Sequence, residues 1–256
     1  MGRRSTPGPQ RKLSADMNEL YQQDLAYIHA TGFGDFARSA ASGILRRLRA
    51  ASIPVRRVVE VGCGAGPLTK PLVDAGFEVI GIDVSPELLR IARNACPEAK
   101  FLLGSIYTQE IPSCDAIVAI GEPLTYHDDG DADARLRDFF HGAARVLPVN
   151  APLIFDLIEL GQPALSGRSW KTGEDWAVLV ETTEDQSSRM LMREIETFRK
   201  VGDAYRRGRE VHRVRLFDTD EVCSWLEAAG FRASTADAYA EFRLYPRRRA
   251  FFGTRR

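Results

Sequence analysis

Between residues 56 and 158 the chain alternates short apolar runs with amphipathic segments, and this rhythm restricts the fold more than any other feature. "RRVVEV" (56–61) runs apolar into a glycine and reads as a strand. "LTKPLVDAG" follows as a helix stopping at Gly76, and Pro71 implies that it starts late or bends. "FEVIGID" (77–83) is a second strand. Ser85 then stands as a cap, Pro86 takes the first helical position, and Leu88, Leu89 and Ala92 give the apolar spacing of a helix. "AKFLLG" (99–104), "CDAIVAIG" (114–121) and "APLIFDLI" (151–158) read as three more strands. Before the last of these, "ADARLRDFFHGAARVL" sets Leu136, Phe139, Phe140, Ala143 and Val146 on one helical face. Strands alternating with helices imply a parallel sheet covered on both faces. Ligands of such sheets bind at the carboxyl ends of the strands, so the loops after the first four strands are where chemistry is expected.

Two regions break the rhythm. Residues 14–50 read as an N-terminal helical cap, with Phe36, Ala40, Ile44 and Leu48 at helical spacing. Residues 168–216 alternate with period two in places and read as an inserted region of antiparallel strands. "DTDEVCSWLEAAGF" returns to helix, capped by Asp218 or Thr219 and stopped at Gly230, and two strands, "RASTADAYAEF" and "RRRAFFGTR", close the chain. Residues 1–13 read as a flexible basic tail, leaving 51–256 as one domain around the insertion. Formal net charge is +0 and the pI is about 6.9, which argues against nucleic acid or an anionic membrane as partner. Cys63, Cys96, Cys114 and Cys223 form no CxxC pair, so reduced thiols are expected, with no metal site. No apolar run approaches the ~18 residues of a membrane span. The expectation is a cytoplasmic protein.

Gly62, Gly64 and Gly66 stand at the first strand-to-helix turn, where glycine permits positive φ and close approach of a ligand. Asp83 ends the second strand, 21 residues beyond Gly62, and an acid there can accept both ribose hydroxyls of an adenosine. NAD and S-adenosylmethionine both carry adenosine. The NAD fingerprint is G-x-G-x-x-G, whereas this chain reads G-x-G-x-G followed by Pro67, and Glu60 would oppose an anionic pyrophosphate. The sulfonium and ammonium of S-adenosylmethionine suit a carboxylate near the loop. Glu60 as a helix cap or arginine partner is the plainer alternative.

The stretch "VVEVGCGAGPLTKPLVDAGFEVIGIDVSPELLRIAR" (58–93), with "FLLGSIYTQEIP", "CDAIVAIGEPLTYH" and "DEVCSWLEAAGF", resembles the class I S-adenosylmethionine-dependent methyltransferases of the small-molecule type. The resemblance implies a Rossmann-like α/β fold with a seven-stranded, mostly parallel sheet of order 3-2-1-4-5-7-6 and an antiparallel last strand. It implies that Gly62, Cys63, Gly64 and Gly66 form the loop at the methionine end, ordered by Glu60, with Asp83 on the ribose and Val84 on adenine. Ser105 and Ile106 would edge the adenine; many relatives have an aspartate at the position of Ser105. Ile120, Gly121 and Glu122 would lie beside the methyl group. "GEPLTYH" departs from the Asn/Asp-Pro-Pro-Tyr motif of nucleic-acid amine methyltransferases.

The expected reaction is methyl transfer to a small-molecule acceptor by in-line displacement, releasing S-adenosylhomocysteine. The alternatives are a nicotinamide-dependent oxidoreductase and a non-catalytic cofactor-binding partner protein. A hydroxyl or carbon acceptor needs a base, and His127, His29 and Glu122 are the candidates. Tyr27 is expected near the sulfonium, whereas Tyr21 reads as core packing. His212 falls in a strand, facing either the pocket or water. Arg206, Arg207 and Arg209 read as a solvated turn, and Trp170 and Trp176 as pocket or half-buried packing.

Overall fold

The computed structural model describes residues 20–126 and 130–256. Two helices come first, α1 (Gln23–Gly32) and α2 (Asp35–Arg49). The alternating region gives β1 (Arg57–Val61), α3 (Thr69–Asp74), β2 (Glu78–Asp83), α4 (Pro86–Ala95), β3 (Lys100–Leu103), β4 (Ala116–Ala119), α5 (Ala132–Val146) and β5 (Pro152–Ile158). Then come β6 (Gly167–Thr172), β7 (Trp176–Asp185), β8 (Met190–Val201) and β9 (Ala204–Arg215). The chain closes with α6 (Thr219–Ala228), β10 (Phe231–Ala236), β11 (Ala238–Tyr239), β12 (Phe242–Arg243) and β13 (Arg248–Arg255).

The central sheet has seven strands in the order β10-β13-β5-β4-β1-β2-β3. β1 to β5 are parallel neighbours, and β13 runs antiparallel to both β5 and β10. This is the order and polarity that the resemblance implies. Residue alternation divides the core in two, because successive side chains leave a strand on opposite faces. Val59, Val61, Ile117 and Ala119 pack with Leu136, Phe139 and Phe140 of α5 and with Val222 and Leu226 of α6. Val58, Ala116 and Val118 pack the other way, with Ala40, Ile44 and Leu48 of α2 and Leu72 of α3.

Caps fall where the side chains allow them. The Ser85 hydroxyl accepts from the Leu88 N–H to start α4, and the Asp218 carboxylate accepts from Asp220 and Glu221 N–H to start α6. Each such cap contributes about 1 kcal/mol. Pro71 sits in the first turn of α3, which begins at Thr69. The stretch expected as one strand from Arg232 stops at Ala236; Ala238–Arg243 folds instead into the small β11–β12 hairpin.

β6 to β9 form a separate four-stranded antiparallel sheet. Register sorts its faces. Ser169 opposes Val180, Val180 opposes Ile195, and Ile195 opposes Glu210, while Thr182, Arg193 and His212 form the next row. These residues face α1 and the central sheet. On the other face, cross-strand pairs Arg168–Glu181, Arg207–Glu196 and Arg209–Glu194 stand in solvent. Arg206, Arg207 and Arg209 are therefore strand residues and not a turn: the turn lies at Val201–Ala204, with Gly202 at φ +62°. Arg206 faces inward and holds Asp24 of α1. Trp176 is buried with Leu25, Ile28, Val178 and Ile195, whereas Trp170 is 75% exposed.

All four cysteines are unpaired thiols, three buried and Cys223 half-buried. Among the described residues no cluster of His, Cys, Asp and Glu suits a metal, and no helix is long and apolar enough to cross a membrane.

Candidate functional site

At the carboxyl ends of β1 to β4, a cavity of about 500 Å³ opens between the central sheet and the inner face of the β6–β9 sheet. Glu60, Gly62, Cys63, Gly64, Asp83, Val84, Ser105, Ile106, Ile120, Gly121 and Glu122 all line it. Gly66 does not; at φ +86° it closes the turn, donating its N–H to the Cys63 carbonyl at 3.0 Å. Gly62 is required by close approach, since a Cβ there would meet Pro123 Cβ at 2.2 Å. Asp83 holds the loop from below: its two oxygens accept from Gly64 N–H and Ser85 N–H, each at 2.9 Å. Burial raises its pKa, against the pull of those N–H groups.

Glu60 is buried, and Thr69 donates to it at 2.5 Å. Burial pushes its pKa up to about 8, the Thr69 bond lowers it and nearby Asp83 raises it further. Glu60 and Asp83 thus meet hydroxyl and backbone N–H donors, in contrast to Glu122, which meets two guanidinium groups. Two buried acids lacking a guanidinium beside a glycine turn fit a ligand that brings its own cation and hydroxyls. The adenosine and methionine ends of S-adenosylmethionine have that chemistry, so the residues present fit this cofactor.

Glu122 closes the other side. It follows Gly121 in a left-handed turn, at φ +65°. Its carboxylate accepts from Arg193 of β8 at 2.5 Å and from Arg248 of β13 at 2.8 Å. Burial alone would raise its pKa, but the two arginines outweigh burial and lower it. It stands as a fixed carboxylate, poorly placed to take a proton. Asp156, in the middle of β5, accepts from the N–H groups of Gly121 and Glu122 at 2.9 and 2.8 Å and from Tyr239 Oη at 3.2 Å. Asp156 stabilises the left-handed turn, and Arg193, Arg248 and Asp156 all escaped the sequence reading. An acid inside the apolar run "APLIFDLI" was the available signal for Asp156.

The remaining wall comes from the N-terminal region and the inserted sheet. Tyr21, not Tyr27, lines the cavity. Tyr27 turns away, its hydroxyl on Asp175 at 3.0 Å and its ring under Arg199 at 3.7 Å. The reversal arises because α1 begins only at Gln23, leaving Tyr21 before it at φ +52°. The Tyr21 carbonyl accepts from Ser85 Oγ at 2.8 Å, its N–H donates to Glu210 at 2.7 Å, and its hydroxyl meets Tyr126 Oη at 2.6 Å. His29 also lines the cavity, 4.9 Å from the Tyr21 ring. Burial, helped by nearby His212, lowers its pKa to about 4. His212 faces the cavity and is buried, with Nε2 2.9 Å from Glu210. His127 lies outside the described residues.

Residues 58–148 match the family model described as a methyltransferase domain. The chain is 25% identical over 193 residues to the putative methyltransferase YqeM of Bacillus subtilis (strain 168), spanning 71% of this chain and 76% of that protein. Its fold matches the sugar N-methyltransferase KedS8 from Streptoalloteichus sp ATCC 53650 with a TM-score of 0.74, at 21% identity, over 100% of this chain and 99% of that one. It also matches S-adenosylmethionine-bound CalS10, an amino pentose methyltransferase from Micromonospora echinaspora, with a TM-score of 0.71, at 19% identity, over 90% and 95% of the two chains. Sheet order, glycine turn, paired acids and domain match converge: residues 58–148 form a methyltransferase domain on a Rossmann-like fold, with S-adenosylmethionine as its cofactor.

Proposed function

We propose that the methyl acceptor is a small molecule that enters between the loop after β4 and the inner face of the β6–β9 sheet, and that a carbohydrate bearing an amine or hydroxyl is the class to test first. One observation carries this reading. The cavity is continuous from the glycine turn and Asp83 to Val178, Val180, Ile195 and His212, so cofactor and acceptor share one enclosure. KedS8 is a sugar N-methyltransferase and CalS10 an amino pentose methyltransferase, which favours a sugar as the first acceptor to try.

When bound, S-adenosylmethionine supplies a methyl group on a positively charged sulfur, already activated for displacement. Most of the work left to this chain is then alignment and exclusion of water. Gly62, Cys63 and Gly64 hold the methionine end and Glu60 faces its ammonium. Asp83 takes the ribose hydroxyls, with Val84, Ser105 and Ile106 around adenine. Ile120, Gly121 and Glu122 stand beside the transferred methyl group. Glu122 acts there through position, since its two arginines keep it ionised. Tyr21 and Phe33, with the inserted sheet, close the cavity against solvent. The protein is proposed to work in the cytoplasm.

Turnover of S-adenosylmethionine to S-adenosylhomocysteine with a panel of amino sugars, neutral sugars and phenols tests the reading. Acceptor-dependent product supports it. Methylation of RNA or protein with none of the small molecules turned over sinks it.

A further inference from the structure

The side of the cavity facing away from the glycine turn holds a second constellation. Glu210 and His212 stand two residues apart on β9 and share its inner face. Glu210 accepts three hydrogen bonds: from Tyr21 N–H at 2.7 Å, from Gln22 N–H at 2.9 Å and from His212 Nε2 at 2.9 Å. A carboxylate only accepts, so Nε2 is the donor and carries the ring proton. In the neutral form of the ring, Nδ1 is then the proton acceptor. The ring is 1% exposed, packed 5.0 Å from the Tyr21 ring and 5.7 Å from the Tyr126 ring. Arg193, directly across the strand pair, is occupied by Glu122.

We propose that His212 is the general base of the methyl transfer, oriented by Glu210, and that the acceptor presents a protonated nucleophile, a hydroxyl or an ammonium. This rests on the methyltransferase reading. As the acceptor's lone pair forms the bond to the methyl carbon, the carbon–sulfur bond breaks and its electron pair stays on sulfur. A hydroxyl gives its proton to Nδ1 as it attacks, and an ammonium gives it first, which frees the lone pair; either way an imidazolium forms, paired with the Glu210 carboxylate, and the proton then leaves to solvent. His29 is a weak base, its pKa lowered to about 4 by burial and by His212. Glu122 is held by two arginines, and the phenols of Tyr21 and Tyr126 are raised by burial, Tyr126 to about 12. Of these groups facing the cavity, His212 alone has a ring nitrogen hydrogen-bonded to a buried carboxylate that can take up its counter-charge. Glu210 is a positioning residue, as is the carboxylate behind the histidine of a hydrolytic triad.

The test uses the full chain with S-adenosylhomocysteine bound, in wild type, His212→Gln and Glu210→Gln. Ring-nitrogen NMR of the wild-type complex reads the tautomer without any acceptor: Nε2–H with unprotonated Nδ1 is expected, and Nδ1–H overturns the proposal. Calorimetry should find His212→Gln binding S-adenosylhomocysteine within about twofold of wild type, showing an intact fold and cofactor half. With matched amine and hydroxyl acceptors, His212→Gln should lower kcat by about 10²–10⁴-fold with KM little changed, and the acidic limb of the pH–rate profile should disappear. The acceptor arm that is turned over names the nucleophile. Turnover in His212→Gln within threefold of wild type at every pH overturns the proposal. Wild-type protein that does not bind S-adenosylhomocysteine overturns the methyltransferase reading, and this inference with it.

Discussion

The carboxylate of Glu122 accepts a hydrogen bond from the Arg193 guanidinium at 2.5 Å, and this pair joins the loop after β4 to the inserted antiparallel sheet. Glu122 and Arg193 are 7% and 21% exposed at the side chain, so water screens the pair poorly. Removing one member of a buried pair leaves an uncompensated charge, which costs about 3–5 kcal/mol. Arg193→Met leaves Glu122 its second partner, Arg248, so it should lower the urea-unfolding free energy by less than that, about 1.5–3 kcal/mol. Arg207→Ala, which breaks an exposed pair with Glu196 on the outer face of the same sheet, should cost less than ~1 kcal/mol.

Glu60 predicts a proton linkage. Its folded pKa lies at about 8, raised from 4.5, so the cofactor-free protein holds a proton there near neutral pH. An ammonium placed against it favours the ionised form, and the proton leaves on binding. Calorimetric titration of S-adenosylhomocysteine at pH 7 in buffers of different ionisation enthalpy should reveal release of up to one proton, and Glu60→Gln should abolish it. A raised folded pKa also means stability that is full below about 4.5 and lost as pH rises through about 8. Glu60→Gln should flatten that decline.

His29 acts in the opposite direction. Its folded pKa is lowered from 6.5 to about 4 by burial and by His212. The stability it contributes is present above 6.5 and is lost as pH falls through about 4, because the unfolded chain takes up the proton first. His29→Phe should flatten the pH dependence of thermal unfolding between those limits while leaving the neutral-pH midpoint nearly unchanged.

Asp83 anchors Gly64 and Ser85 N–H, and it is proposed also to offer its oxygens to the ribose. Hydrogen bonds to a charged group are each worth about 1.5–3 kcal/mol. Asp83→Ala should weaken S-adenosylhomocysteine binding by at least about 10-fold, read by calorimetry. Ser105→Asp should strengthen it if a carboxylate there reaches the adenine amino group.

The central sheet was legible because its signals are local. Gly62 and Gly76 stop segments, Ser85 and Asp218 cap helices, and apolar runs of strand length need no partner to be recognised. The inward face of the inserted sheet was not legible, because alternation gives two faces and only register against neighbours decides which one is buried. His212 faces the cavity because it lies opposite Arg193, which is drawn inward by Glu122. Tyr21 and Tyr27 exchanged roles for a similar reason: the start of α1 at Gln23 and the left-handed backbone at Tyr21 have no glycine or proline to announce them. Arg248 meets Glu122 only where β13 pairs with β5, and Asp156 meets it across the β4–β5 pair, contacts between residues far apart in the chain.

Calorimetric titration of the wild-type protein with S-adenosylhomocysteine and, separately, with NAD tests most directly whether the turn at Gly62–Gly66 and the acids Glu60 and Asp83 form a site for adenosine joined to a cationic methionine end. The account predicts saturable one-to-one binding of S-adenosylhomocysteine, weakened by Asp83→Ala, and no heat from NAD. Saturable NAD binding with no response to S-adenosylhomocysteine would contradict it.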